Sequence, residues 1–251
     1  MVIKRKSDRE IEIMRSAGRI VAGALAMARE IAKENVSTED LNTRLERYVL
    51  QKGGIPVFKG YRGYPKSICT SVNEEIVHGI PDQRKLRIGD ILSVDIGVEF
   101  NKYVADAAIT IPIGEISEEA RSLLQVCEES LNKAIEKVSA NNKLSEISRS
   151  IQEYVESKGL SVIRDYTGHG IGRQMHEDPQ IPNFVSKELL RADEILLQGM
   201  ALAIEPMICV GKYDTEVLKN KWTVVTKDRK LSAHFEHTVV VTENGAEILT
   251  I

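Results

Sequence analysis

Apolar residues near the start of the chain recur with the period of a helix. Ile11, Met14, Ala17, Ile20, Val21 and Ala24 fall on one stripe, and Ser7 with Glu10 three residues later forms the pair that caps such a stripe. A long first helix is predicted. A second helix runs from about Thr38 to Lys52 and stops at Gly53-Gly54. Two more are predicted near residues 118–138 and from Leu144 to Lys158. Between these pairs the rhythm changes to that of strands. The stretch ILSVDIGVEFNKYVADAAITI, residues 91–111, reads as two strands and a polar turn, each strand carrying one aspartate among Val, Ile and Ala. With Glu99 to Lys102 as a four-residue loop, Asp95 falls opposite Asp106 and both point to one face. Carboxylates are disfavoured in strands and costly to bury alone. The pair is therefore either solvated and hydrogen-bonded or arranged around a cation.

The pattern repeats. YVLQKG (48–53) and YVESKG (154–159) end the second and fourth helices, and GDILSVDI (89–96) is matched by GMALAIEP (199–206) at nearly the same offset. This predicts one catalytic domain over 1–251 built from two related halves, about 1–112 and 113–251. The second half must then supply its own acids, Glu205 matching Asp95 and Glu236 in SAHFEHTVVVT matching Asp106. Their wider separation requires an insertion of one more strand and turn, around KWTVVTKDRKL. Two halves facing across a pseudo-twofold axis would bring Asp95, Asp106, Glu205 and Glu236 to one point, and four anions in one pocket require cations. Bridging carboxylates can hold two divalent ions about 3.5–4 Å apart.

Histidine supplies the nitrogen. Of five histidines, His169 is the best candidate ligand, because the glycines of DYTGHGIGRQMHEDP leave room for close approach. His234 shares a face with Glu236, whereas Phe235 and His237 point the other way; His237 is read as structural, and the role of His234 stays open. Carboxylates with one imidazole suit Mn, Fe, Co or Zn. Other chemistries drop out: GHGIGR lacks the third glycine of a dinucleotide loop, and GxxxxGK[ST], HExxH and GxSxG are all missing. A net charge of -3 with 28% charged residues carries no nucleic-acid footprint. The basic stretch VIKRK, residues 2–6, reads as a solvated terminus. Three cysteines without a CxxC pair fit free thiols in a reducing compartment, and neither a signal peptide nor a membrane-spanning run is present. A cytoplasmic protein is expected.

Five stretches together resemble the type I methionine aminopeptidases of the pita-bread fold: GYRGYPKSICTSVNEEIVHGIP, GDILSVDIGVEFNKYVADAAIT, YTGHGIGRQMHEDP, MALAIEPM and WTVVTKDRKLSAHFEHTVVVT. The likeness spans essentially the whole chain. It implies an α+β architecture, a curved antiparallel sheet covered by helices, and a hydrolase that removes initiator methionine from nascent polypeptides, preferring a small second residue. By the resemblance Asp95 chelates one ion, His169 and Glu205 bind the other, and Asp106 and Glu236 bridge them. Glu205 also relays the proton, His176 stabilises the oxyanion, and His78 contacts the scissile amide. Tyr61, Tyr64, Cys69 and Trp222 match positions lining the methionine pocket. Phe58 and Met175 stand where some relatives carry cysteine or an aromatic, which puts pocket shape in question. About 90 residues precede Asp95 and no long insertion separates His176 from Glu205, so the resemblance implies a minimal bacterial-type form, monomeric, with transient ribosome association and no membrane or specific nucleic-acid partner. The alternative is a catalytically silent scaffold of the same fold that binds peptides or ribosomes.

Overall fold

The computed structural model describes residues 3–251. Helix α1 (Asp8–Ile31) starts where expected, with the Ser7 N–H donating to Glu10 Oε2 at 2.9 Å. Helix α2 (Thr38–Gln51) is capped by Ser37, whose hydroxyl oxygen accepts from the Asp40 N–H at 3.1 Å. After the short β1 (Ile55–Pro56), a 3₁₀ turn at Tyr61–Gly63, β2 (Cys69–Val72) and β3 (Glu75–Val77) comes the long hairpin of β4 (Ile91–Phe100) and β5 (Tyr103–Pro112). Helices α3 (Glu118–Ile135) and α4 (Leu144–Ser157) follow. Next come β6 (Ser161–Val162), β7 (Thr167–Gly170), β8 (Glu177–Pro182) and the short α5 (Lys187–Arg191). The chain finishes with β9 (Ala201–Ile204), β10 (Met207–Cys209), β11 (Thr215–Val217), β12 (Val224–Thr226), β13 (Ser232–His234), β14 (Glu236–Thr242) and β15 (Gly245–Ile248).

A nine-stranded antiparallel sheet in the order β1-β4-β5-β14-β9-β7-β8, with β2 added on β4 and β15 on β14, forms the body of this α+β fold. Its two faces follow from strand alternation. On one, Leu92, Val94, Ile96 and Val98 of β4 and Ala105, Ala107, Ile109 and Ile111 of β5 join the main core. Helices α1 and α3 supply Ala17, Val21, Leu25, Leu123 and Leu131 to it. The other face carries Ser93, Asp95, Asp106 and Thr110, all pointing away from the helices.

Three expectations change. The hairpin turn has two residues, not four: Phe100 pairs with Tyr103, and Asn101 and Lys102 take left-handed φ of 48° and 68°, the twist that suits a tight hairpin. Asp106 therefore faces Gly97, and Asp95 faces Ala108; the two aspartates share a face as diagonal neighbours rather than as a direct pair. The segment between Glu205 and Glu236 holds four strands instead of one. They build two small sheets, β13-β10-β6 and β11-β12-β3, in which β10 pairs with β6 and β12 with β3. Finally, Val2 of the basic N-terminal stretch lies outside the described residues, but Lys6 is not solvated. Its ammonium sits 2.9 Å from Glu177 Oε2 with both side chains more than nine-tenths buried.

Candidate metal centre

Asp95 and Asp106 reach the site from the β4–β5 hairpin. The ladder between β9 and β14 pairs Ile204 with His237, which sets Glu205 beside Glu236. Side-chain hydroxyls stitch the two hairpins together. The Asp106 N–H donates to Thr238 Oγ1 at 2.9 Å while that hydroxyl donates to the Asp106 carbonyl at 2.8 Å. Thr110 does the same for His234, accepting from its N–H at 3.0 Å and donating to its carbonyl at 2.8 Å. Each threonine replaces two backbone ladder bonds, so the strands can diverge without losing pairing.

His169 arrives on β7, between Gly168 and Gly170. A Cβ at Gly168 would stand 2.5 Å from the Ala203 carbonyl oxygen, and one at Gly170 would stand 2.1 Å from that of Asp178. The glycines are thus required by strand-to-strand approach rather than by room for the imidazole. His169 Nδ1 lies 2.9 Å from the Gly170 carbonyl oxygen, which can only accept; Nδ1 carries the proton and Nε2 keeps a free lone pair. That Nε2 stands 3.5 Å from Glu205 Oε1.

Ligand atoms of Asp106, His169 and Glu236 lie within 4.8 Å of one another, all buried. Burial and mutual repulsion raise the pKa values of Asp95, Glu205 and Glu236 well above the usual carboxylate range, and burial pushes Asp106 up to about 7. The imidazoles cannot serve as countercharges. Burial, reinforced by a neighbouring histidine, pulls His169 and His234 down to about 3. Asp95 Oδ1, Asp106 Oδ1, Glu236 Oε1 and His234 Nε2 are buried without a hydrogen-bond partner. Buried oxygens unsatisfied in this way, with those of Asp106 and Glu236 gathered beside a neutral imidazole, fit divalent cations. His234 Nε2 lies 3.9 Å from both Glu205 Oε2 and Glu236 Oε2, so it points at the cluster as the alternation of β13 and β14 implied. His237 instead bonds Thr250, Nδ1 to Oγ1, at 2.8 Å.

A cavity of about 180 Å³ opens onto the cluster. Phe58, Tyr64, Cys69, Met175 and Trp222 give it an apolar lining; Tyr61, His78 and His176 stand at its polar side. Every residue singled out in the sequence as ligand, catalytic group or pocket wall borders this one space. Tyr64 meets Trp222 edge-on at 5.1 Å and is fixed by its hydroxyl, which donates to the Gly79 carbonyl at 2.8 Å. Tyr61 Oη lies 2.8 Å from His176 Nδ1. Sequence reasoning missed Arg62, Tyr166, Thr167 and Met207, which also line the cavity. The first three come from connecting segments and strand ends with no periodic signal; Met207, two residues after Glu205, was within reach of strand alternation.

Residues 12–243 match Metallopeptidase family M24. A methionine aminopeptidase from Clostridium acetobutylicum is 53% identical over 247 residues, 98% of each chain. The crystal structure of a methionine aminopeptidase from Thermotoga maritima superposes with a TM-score of 0.96 at 45% identity, covering 99% of both chains. A prolidase from Pyrococcus furiosus shares the fold at 23% identity, with a TM-score of 0.79 over 98% of this chain and 65% of its own. The fold and site define a metallopeptidase of the pita-bread type. The chain belongs to family M24, in its type I methionine aminopeptidase branch. Among the described residues no helix is long and apolar enough to cross a membrane.

Proposed function

We propose that the chain is a metal-dependent aminopeptidase that releases methionine from the N-terminus of nascent proteins and peptides, preferring a small second residue. One observation carries this reading: a buried, cation-demanding carboxylate cluster closes the end of an apolar cavity of about 180 Å³, a volume suited to one unbranched side chain. Asp95, Asp106, His169, Glu205 and Glu236 would hold two ions, with Co, Mn, Fe and Zn all compatible with the donor set. Bound there, divalent ions supply Lewis acidity and bring the pKa of a shared water toward neutrality.

The chain's own groups do the rest. The methionine side chain packs against Phe58, Tyr64, Cys69, Met175 and Trp222, where a polarisable thioether meets aromatic edges. Glu205 accepts the proton of the attacking water and passes it to the departing amine. Burial and the Arg62 charge lower the pKa of His176, keeping its imidazole neutral. Tyr61 Oη, 2.8 Å from Nδ1, can donate to it; in that arrangement Nε2 carries the proton and can donate to the oxyanion as it forms. His78, edge-on to Trp222 at 6.3 Å and pulled down to about 4 by burial, is likewise a neutral hydrogen-bonding group for the scissile amide. Three buried free cysteines favour a reducing, cytoplasmic setting, where nascent chains leaving the ribosome would be the substrates.

The test is turnover of Met-Ala-Ser and Met-Lys-Ser by chelator-stripped protein, with Mn, Fe, Co and Zn restored singly. Metal-dependent methionine release from the first peptide alone is expected. A folded, metal-binding protein that cleaves neither peptide would refute the reading in favour of a silent scaffold.

A further inference from the structure

A second cavity, of about 390 Å³, joins the first through shared walls: Arg62, Thr167, His169 and His176 border both. It leads outward from the cluster past His176 to Lys4, Gln174, Asp178 and Gln180. Resting on the aminopeptidase reading above, we propose that this trench holds the substrate beyond its second residue and that Arg62, assisted by Lys4, selects for acidic side chains there.

The direction of the chain follows from the site. With methionine in the closed apolar lobe and the scissile amide at the carboxylates, the remaining residues must leave through an open side. The trench is the open space that adjoins His176, the group proposed to meet the scissile carbonyl. Its polar walls suit a hydrated, extended peptide.

The charge preference follows from which groups are already neutralised. Glu177 lies on the wall but is spent: Lys6 pairs with it at 2.9 Å, and the N–H groups of Arg173 and Gln174 donate to its other oxygen at 2.9 and 3.2 Å. Asp178 is the other carboxylate on this wall, and among the described residues no ion pair neutralises it. Against it stand Lys4 and Arg62, both exposed, and among the described residues neither has a carboxylate within 4.0 Å. With Glu177 neutralised by Lys6, Lys4 and Arg62 outweigh Asp178 and leave the trench with one net positive charge. An extended peptide with acidic residues downstream matches that charge.

Arg62 is also held in an unusual way. It sits in the 3₁₀ turn with φ 49° and ψ 22°, between Gly60 and Gly63 at φ 87° and 90°. A non-glycine residue in the left-handed region carries strain, and such strain gathers where a side chain must be aimed. The aim is at the junction of the two cavities, over the ring of Tyr61 at 5.4 Å from its centroid.

The experiment compares kcat/KM for Met-Ala-Asp-Asp-Ser, Met-Ala-Ser-Ser-Ser and Met-Ala-Lys-Lys-Ser, using protein loaded with the ion that supports Met-Ala-Ser turnover. At low salt the aspartate peptide is expected to be favoured over the lysine peptide by about 3- to 10-fold, the range of one or two exposed ion pairs. The difference should appear mainly in KM. In Arg62→Gln the ratio should fall toward one, in Lys4→Gln it should fall part of the way, and in wild type it should shrink near 1 M salt, where screening acts within about 3 Å. Because the readout is a ratio within each protein, a general loss of activity in a variant does not obscure it, and the salt series needs no variant. A wild-type ratio near one, or a ratio that both substitutions leave unchanged, would overturn the proposal while leaving the aminopeptidase reading intact. Failure to cleave any of the three peptides would overturn both.

Discussion

Replacing Asp106 by asparagine should have opposite effects on stability with and without metal. Asp106 is 3% exposed, its Oδ1 has no partner, and Asp95, Glu205 and Glu236 surround it. Its backbone is held by Thr238 whatever the side chain. Burial pushes its pKa up to about 7, from an ordinary value near ~4. The folded value lies above the unfolded one, so in the metal-free protein stability falls as pH rises from about 4 through about 7. By pH 8 the full penalty is present, about 4 kcal/mol at ~1.36 kcal/mol per pH unit. Counting only the desolvation of an unpaired polar oxygen gives about 1–3 kcal/mol. Asp106→Asn keeps the shape and removes the charge, so in chelator at pH 8 it should melt roughly 5–15 °C above wild type, at ~2–4 °C per kcal/mol for a chain of this size. Saturating metal should reverse the order. Two ions, each at about 1,000 times its Kd, would stabilise wild type by about 8 kcal/mol, roughly twice that penalty, and the variant, short of one anionic ligand, gains less. Differential scanning calorimetry at pH 8, with chelator and with each ion, measures both. A variant that melts at or below wild type in chelator would refute the idea that the cluster is held together against its own charge.

Lys6→Met leaves Glu177 buried without its countercharge, and should cost about 3–5 kcal/mol in urea unfolding. Although burial opposes it, the Lys6 contact holds the Glu177 pKa below its usual value. The stability this contributes in wild type is therefore present above about pH 4.3 and lost as pH falls below it, a slope that the variant should lack. Tyr61→Phe removes the 2.8 Å contact to His176 and should lower kcat by about 10-fold or more with little change in KM, since it misorients a donor needed only at the oxyanion. Gly97→Val should instead raise KM for methionyl peptides by about 10-fold: even a Cβ there would stand 2.9 Å from Phe58 Cε1 and 3.2 Å from Met175 Sδ, pushing both into the methionine lobe.

The helices were legible because a cap and a period coincide: Ser7 and Ser37 open α1 and α2 within a residue of the predicted starts. The candidate ligands stood out because acids inside apolar strands violate a local preference, and the resemblance to a known family supplied the full proposed set. What could not be read is where partners come from afar. The strands of the segment after Glu205 acquire their sheets from β3 and β6, far upstream in the chain. The tight turn at Asn101-Lys102 was misjudged because lysine at positive φ carries no sequence mark. Arg62 was passed over for the same reason, its importance arising from backbone geometry and from a cavity that no periodicity reveals. The burial of Lys6 depended on a glutamate more than 170 residues away.

The seam between β5 and β14 consists of two register pairs, Ala108 with Glu236 and Ala107 with His237, flanked by the Thr110 and Thr238 stitches. The proposed ligand set straddles that seam, two aspartates on one side and His169, Glu205 and Glu236 on the other. An ion seated there would be a cross-link, closing a loop of more than a hundred residues much as a disulfide does. Loading the centre would therefore do mechanical work as well as chemical: it would turn a narrow joint between two hairpins into a fastened one, and chelation should make amide exchange along β5 and β14 faster before any helix loosens.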